Sequence, residues 1–177
     1  MDLDTILSTA PDASEHAPYY GKYVSLVTGG NILDTLETQL GDMQSLLGSL
    51  TEERGGHRYA PTKWSIREVV GHVSDTERVF AYRALRIGRG DQTPIEGFDQ
   101  DPYVQAGPFE RARLADLAEE FASVRRATLS LLRPLDAEAW MRRGVANQNE
   151  VSVRALAYVI AGHERHHRNI LVERYLS

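Results

Sequence analysis

Two histidines lie in the apolar stripe of the last long helical segment of the chain. On a helix that turns by about 100° per residue, His167 is displaced from His163 by about 40°. The same stripe contains Leu156, Ile160 and Ile170. One buried histidine is usually a hydrogen-bonded core residue, but two at positions i and i+4 project their rings side by side from adjacent turns. Helices use this spacing to offer two imidazoles to one metal ion.

A third ligand has to come from another helix, because three protein ligands hold a metal ion while leaving a coordination position open for chemistry. His72 is the candidate, since it lies near the inner edge of the second predicted helix. His166 lies at the edge of the stripe in the last helix, and we interpret it as a flanking residue. His16 and His57 fall in predicted loops and are expected at the surface. The predicted metal ligands are His72, His163 and His167.

One carboxylate also lies in an apolar stripe, that of the second predicted helix. Glu77 shares this stripe with Val69, Val73 and Phe80. Carboxylates seldom occupy a core without a partner. Glu77 is therefore expected to accept a hydrogen bond from a ligand histidine, or to pair with a buried arginine or the Trp64 indole. The first arrangement would make Glu77 a catalytic residue, whereas an ion pair or a helix cap would be structural.

The order His-Glu-x-x-His at residues 163–167 also matches the spacing of zinc proteases. That assignment would require Glu164 to face a substrate cleft beside an open sheet edge, and the sequence predicts no strands. Glu164, and likewise Asp75 in the second helix, lie less inward on their helices, and we interpret them as solvated residues.

Four long amphipathic segments must position these side chains. The first is expected to begin after Asn31, a good N-cap, and to end at Gly55 and Gly56. The second begins with Ser65, which has a glutamate three residues later in the spacing of a capping box. It is expected to end at Gly88.

The remaining two segments complete a bundle. The third is expected to begin near Pro108, because proline is favoured at the first helical position, and to end at Pro134. The fourth is expected to run from about Val151 to Tyr175, with Ser152 near its N-cap. Four such helices without a convincing strand predict an all-α four-helix bundle. Its connections of roughly 13 to 19 residues are longer than a simple up-down bundle needs.

Two further segments are expected to cover the bundle. Residues 1–30 are predicted to form an ordered arm with one short helix. Residues 89–107 are predicted to form a long loop, and loops of this length are often functional. Asp99 and Tyr103 in this loop are candidates for shaping a pocket. We expect residues 1–177 to form a single domain.

Composition narrows the classes of function. The net charge of −5 provides no bulk attraction to nucleic acid. Arg83, Arg86 and Arg89 cluster near the end of the second helix, and we interpret them as a solvated face. The absence of cysteine excludes disulfides, thiolate zinc sites and a cysteine nucleophile, and fits a reducing cytoplasm. No apolar run is long enough for a signal peptide or a membrane helix, so we expect no membrane association.

Two segments resemble the motifs of a known family. Residues 63–73, KWSIREVVGHV, are similar to the second-helix motif of the DinB/YfiT-like family, and residues 161–168, AGHERHHR, to its last-helix motif. Residues 75–78 and 97–101 also resemble one branch of that family. The resemblance implies a four-helix bundle, often a homodimer, with a three-histidine site for nickel, zinc or a related divalent ion. The resemblance implies that the three ligands in this sequence are His72, His163 and His167.

The leading hypothesis is a divalent-metal-dependent enzyme that acts on a small-molecule substrate. A metal ion on three neutral imidazoles can lower the pKa of bound water to about 7, which leads to hydrolysis. It can equally deprotonate a thiol, and the resemblance favours transfer of an external low-molecular-weight thiol onto an electrophile. One alternative is a non-catalytic, stress-related module whose closed site has a fourth protein ligand, such as Glu77 or His166. Another is an interaction protein whose histidines hydrogen-bond in the core.

Overall fold

Four long helices and a two-stranded hairpin make up most of the computed structural model, which describes residues 1–176. In chain order the helices are α1 (Leu3–Ser8), α2 (Gly21–Val24), α3 (Ile32–Gly48), α4 (Ile66–Gly88), α5 (Gln100–Ala106), α6 (Leu114–Leu132), α7 (Ala137–Met141) and α8 (Val153–Ile170). The strands are β1 (Arg143–Ala146) and β2 (Asn149–Ser152). Helices α3, α4, α6 and α8 form the bundle, as predicted. No helix within residues 1–176 is long and apolar enough to cross a membrane.

Side-chain caps fix three of the four helix starts, and each agrees with the sequence. Asn31 accepts a hydrogen bond from the backbone N–H of Leu33 at 2.9 Å. Ser65 and Glu68 form the expected capping box at the start of α4. The Ser152 hydroxyl accepts from the N–H of Ala155 at 2.9 Å. These contacts satisfy backbone donors that have no partner within the helix.

The start of α6 differs from the prediction. Pro108 precedes a 3₁₀ turn at Phe109–Arg111, and the α-helix begins only at Leu114. The Phe109 ring is buried so close to Gly71 and Gly107 that a Cβ at either glycine would overlap it. The α-helix that follows begins at Leu114, whose N–H donates to the Glu52 carboxylate at 3.0 Å.

Two predicted helix ends were also displaced. Helix α3 ends at Gly48, before the predicted glycine pair, and residues Arg54–Gly56 form a separate 3₁₀ turn. Helix α8 ends at Ile170 and continues as a π-helical turn over Leu171–Tyr175.

The prediction that the chain has no strand was wrong for residues 143–152. Asn147 and Gln148 have φ of 49° and 62°, the left-handed pair that a two-residue hairpin turn requires. Ile95 pairs alongside β1: its N–H donates to the Val145 carbonyl at 2.9 Å. The strands are only four residues long, which explains why the local pattern did not reveal them.

Both covering segments contain more helix than expected. The arm has two short helices, α1 and α2, and the segment after α4 contains α5, capped by Asp99, whose carboxylate accepts from the N–H of Asp101 at 3.1 Å. The approach of α2 to α8 depends on Gly162. A Cβ at this position would overlap the carbonyl oxygen of Tyr23.

The apolar core is divided into two clusters along the bundle axis. One cluster includes Leu36, Phe80, Leu132 and Ile160. The other contains Met43, Val70, Phe121 and Leu171. Each of the four long helices has buried polar residues near the level where one cluster gives way to the other. This polar layer includes Gln39, His72, Thr76, Glu77, Arg125, His163 and Glu164, with His167 half-buried beside them.

Replacing Gly162 by Ala should therefore lower the free energy of unfolding, because α2 must move away from α8. Overpacking of this kind costs about 1–3 kcal/mol. Gly41→Ala is a matched control, since Gly41 lies within α3 with no neighbouring atom within 4 Å of an added Cβ. The control should stabilise the protein by about 0.5–1 kcal/mol. Urea unfolding that gave equal effects for both variants would contradict the close approach of α2 and α8.

Candidate metal centre

Helices α4 and α8 bring the three predicted ligands together. One ring nitrogen from each of His72, His163 and His167 lies within 4.8 Å of the other two. The Nε2 atoms of His72 and His163 are 3.1 Å apart. Among residues 1–176, these three histidines are the group of metal-ligating side chains that lie close enough together to hold an ion.

The spacing of these nitrogens fits a metal ion. Two imidazoles bound tetrahedrally to zinc, with bonds of 2.0–2.1 Å, have their nitrogens about 3.3 Å apart. The observed separation of 3.1 Å between the Nε2 atoms of His72 and His163 is close to that value. Neutral imidazole nitrogens are also common ligands of divalent transition metals. The three residues therefore suit a cation that occupies the space between them.

Neighbouring side chains hold the rings in place. The Thr76 hydroxyl lies 3.3 Å from Nδ1 of His72, one turn along α4. If Nδ1 carries the proton and donates to Thr76, Nε2 of His72 is free to bind a cation. The Trp64 ring packs 4.8 Å from His72, and the Tyr23 ring packs edge-on 5.3 Å from His163.

Burial keeps these histidines neutral. It lowers the pKa of His72 from 6.5 to about 4. The pKa values of His163 and His167 lie well below the usual value, mainly because of burial and further because of the neighbouring imidazoles. Since a neutral imidazole has a free lone pair, the site can accept a cation at neutral pH without first losing protons.

A pocket of about 460 Å³ opens beside His163. It lies between the arm, α4, the start of α5 and the hairpin turn. Its wall includes the side chains of Tyr19, Tyr20, Tyr23, Thr76, Phe80, Arg83, Asp99, Asn147 and His163. The volume is large enough for a small molecule.

Comparison with known proteins places the chain in a family. The sequence profile of the DinB superfamily matches residues 35–171. The chain belongs to the DinB superfamily. This finding confirms the resemblance that the helix motifs carry, and the matched range contains all three histidines.

Two relatives of this DinB superfamily chain are informative. A protein of Oceanobacillus iheyensis named "Putative metal-dependent hydrolase" is 26% identical over 137 residues, which cover 76% of this chain and 78% of the relative. The structure of YfiT from Bacillus subtilis, described as a probable metal-dependent hydrolase with an unusual four-helix bundle topology, superposes with a TM-score of 0.70. That match covers 96% of this chain and 95% of YfiT at 15% identity, and therefore shows a shared fold.

The other histidines of the DinB chain lie outside the ligand group. His166 is half-buried, with its ring 5.1 Å from that of His167 and 5.6 Å from that of Tyr23. His57 is half-buried beside Tyr175. The expected surface position of His16 was wrong: it is buried where the arm folds onto the bundle, with Nδ1 2.9 Å from the Ala17 carbonyl oxygen.

Glu77 pairs with a buried arginine, one of the partners considered for it. Both of its oxygens accept hydrogen bonds from Arg125, each at 2.8 Å. Arg125 also donates to the Leu36 carbonyl at 2.9 Å and to Gln39 at 3.1 Å. This network occupies both oxygens of the Glu77 carboxylate in a buried ion pair, and a catalytic role for Glu77 stays a prediction from sequence.

The expectation that Glu164 is solvated was wrong. It is buried, it does not line the pocket, and its carboxylate has no hydrogen-bond partner among the described residues. Burial raises its pKa to about 7, although Arg125 and other arginines partly oppose this. Because Glu164 does not line the pocket, the zinc-protease arrangement is not formed. Asp75 is half-buried and pairs with Arg78 at 3.0 Å.

The pocket wall contains some residues that the sequence predicted and some that it did not. Asp99 lines the pocket as expected, whereas Tyr103 lies against Phe98 in a separate surface hollow. Arg83, interpreted as solvated, is buried and lines the pocket. Its position three residues after Phe80, which lies in the α4 stripe, could have indicated that Arg83 is buried. The contribution of Tyr23 had no such signal, because it comes from the arm.

The lowered pKa of His72 predicts how the stability of the metal-free protein depends on pH. Below pH 6.5 the unfolded chain protonates His72, whereas the folded protein does so only near pH 4. Unfolding therefore takes up a proton, and stability falls as the pH decreases between these values. Relative to His72→Leu, the wild-type protein should lose roughly 3 kcal/mol between pH 7 and pH 4. Parallel stability curves for the two proteins in urea unfolding would contradict the neutral, buried state of His72.

Proposed function

We propose that this chain is a metal-dependent hydrolase that binds one divalent cation through His72, His163 and His167. The observation that carries the proposal is the meeting of three neutral imidazole nitrogens within 4.8 Å beside a pocket of about 460 Å³. The names of the related proteins from Oceanobacillus iheyensis and Bacillus subtilis support the same activity.

An open coordination position distinguishes a catalytic site from a closed structural one. Catalytic zinc sites have three protein ligands, and structural sites usually have four. Among residues 1–176, neither Glu77 nor His166 joins the ligand group. A cation on three neutral imidazoles acts as a Lewis acid and lowers the pKa of bound water to about 7. These features favour an enzyme over a non-catalytic metal-binding module.

The side chains around the histidines can position a ligand ring, line the pocket and donate a hydrogen bond. Thr76 holds the His72 ring through Nδ1, at 3.3 Å. The Phe80 ring lies 6.3 Å from that of His163 and gives the pocket an apolar wall that limits water. Burial and the neighbouring Tyr19 raise the pKa of Tyr23, so its hydroxyl stays protonated. It can therefore donate a hydrogen bond to an oxygen of the substrate.

Transfer of a low-molecular-weight thiol is the second candidate reaction. Any thiol would have to come from outside, because the chain contains no cysteine. The same three histidines would hold the cation for this reaction, and a cation there would favour the deprotonated form of a thiol. The choice of nickel or zinc, the homodimer and the cytoplasmic location remain predictions from the sequence and the family resemblance.

Metal analysis of single histidine variants tests the proposal. The wild-type protein, loaded with nickel or zinc and freed of excess ions, should retain about one ion per chain. His72→Ala, His163→Ala and His167→Ala should each lose it, and with it any hydrolysis found by screening ester, amide and thioester substrates. His166→Ala is the matched control and should lower metal affinity only modestly.

Two outcomes would contradict the proposal. Equal loss of metal from all four variants would refute the assignment of ligands. Full metal loading without turnover of any substrate, together with a fourth protein ligand, would indicate a structural site.

A further inference from the structure

Three arginines in the described part of the chain have almost no exposed surface. They are Arg83, Arg125 and Arg154, each 0–1% exposed. A buried charge is costly unless it is paired. Arg125 pairs with Glu77 through two hydrogen bonds, and Arg154 pairs with the buried carboxylate of Glu15. Two of the three buried cations therefore have a carboxylate of the chain as partner.

Arg83 has no carboxylate partner among residues 1–176. Its guanidinium donates to the Glu96 carbonyl oxygen at 3.2 Å and weakly to the Tyr20 hydroxyl at 3.4 Å. Its Nε is buried without a hydrogen-bond partner. The guanidinium carbon lies 5.5 Å from the centre of the Phe80 ring and 6.0 Å from that of Phe98. These neutral contacts hold the group in place but leave its charge uncompensated.

Arg83 lines the same pocket as His163. Phe80 connects the two, since its ring lies 5.5 Å from the Arg83 guanidinium and 6.3 Å from the His163 ring. One small molecule can therefore reach both groups. Among the lining residues, Asp99 is the carboxylate, and it is exposed to solvent, where water and salt screen its charge. An anionic group in the pocket would find its favourable partner at Arg83.

We propose that Arg83 binds an anionic group, a carboxylate or a phosphate, on the substrate whose reacting bond lies at the histidines. The planar guanidinium can donate two parallel hydrogen bonds to either group. This pairing would supply the missing counter-charge and orient the substrate along the Phe80 wall. The inference rests on the proposed function for the location of the reacting bond, but the binding of an anion by Arg83 can be measured without catalysis.

Titration of the full-length protein with three probes tests the inference. Succinate carries the carboxylate, inorganic phosphate carries the alternative anion, and succinamide is the neutral match of succinate. We expect at least one anion to bind and to shift the NMR signal of the Arg83 Nε–H, in metal-free and zinc-loaded protein alike. Succinamide should leave this signal unchanged. The anion that binds more tightly identifies the group.

Substitutions at two arginines of α4 provide the matched comparison. Arg83→Gln should weaken anion binding about 10- to 100-fold, because a hydrogen bond to a charged group is lost. Arg83→Lys should have an intermediate affinity, since lysine retains the charge but lacks the two parallel N–H donors of the guanidinium. Arg86→Gln should bind as the wild type does, because Arg86 already pairs with Asp91 and lies outside this pocket.

Several results would overturn the inference. They are equal binding of succinate and succinamide, equal anion affinity in the wild type and Arg83→Gln, and no binding of either anion to the wild type. If Arg83→Gln fails to fold, Arg83→Lys and the Nε–H signal of the wild type decide the question. Anion binding in metal-free protein that takes up no metal would retain the Arg83 subsite and reject only the metal-dependent hydrolase.

Discussion

The direct contact between α4 and α8 at His72 and His163 is the constraint on which the rest of this structure depends. Their Nε2 atoms lie 3.1 Å apart inside the bundle. Two leucines at these positions would pack without further requirements, but two imidazoles need hydrogen-bond partners or a metal ion in a layer from which water is largely excluded. Burial keeps the rings uncharged, so they need hydrogen bonds or a metal ion but no counter-charge.

The other buried polar groups can be understood as support for that layer. Arg125 on α6 reaches Glu77 on α4 and both Gln39 and the Leu36 carbonyl on α3. Gln39 in turn donates to the Ala161 carbonyl on α8 at 2.8 Å. One network therefore ties all four long helices together at the level of the histidines. Such a network fixes how the helices pack, and so fixes the distance between the ligand nitrogens.

The long helices and the grouping of the three histidines could be predicted from sequence, largely because helix periodicity is a local pattern. Ser65 and Ser152 marked helix starts, and the i, i+4 spacing of His163 and His167 placed two rings on one face. The hairpin was not predicted, since its strands have only four residues each and are too short to show an alternating pattern. The buried positions of His16 and Glu164 depend on the tertiary packing around them.

The pocket likewise could not be predicted from local sequence patterns. Its walls come from five separate parts of the chain, so no local pattern contained it. The arm supplies Tyr20 and Tyr23, the end of the segment before α5 supplies Asp99, and the hairpin turn supplies Asn147. Phe80 and His163 in its wall belong to predicted stripes. Arg83 follows Phe80 by three residues on α4, and a buried charged residue at this position is the kind of local conflict that functional sites tend to show.

X-ray absorption spectroscopy of the zinc-loaded protein tests the central claim most directly, because it reports the ligands of the bound ion. The account predicts three imidazole nitrogens at about 2.0–2.1 Å and at least one further light ligand that is not part of the chain. His163→Ala should lose one imidazole from this set or lose the ion. A spectrum without imidazole scattering, or with a complete shell of four protein ligands, would contradict an open three-histidine metal centre.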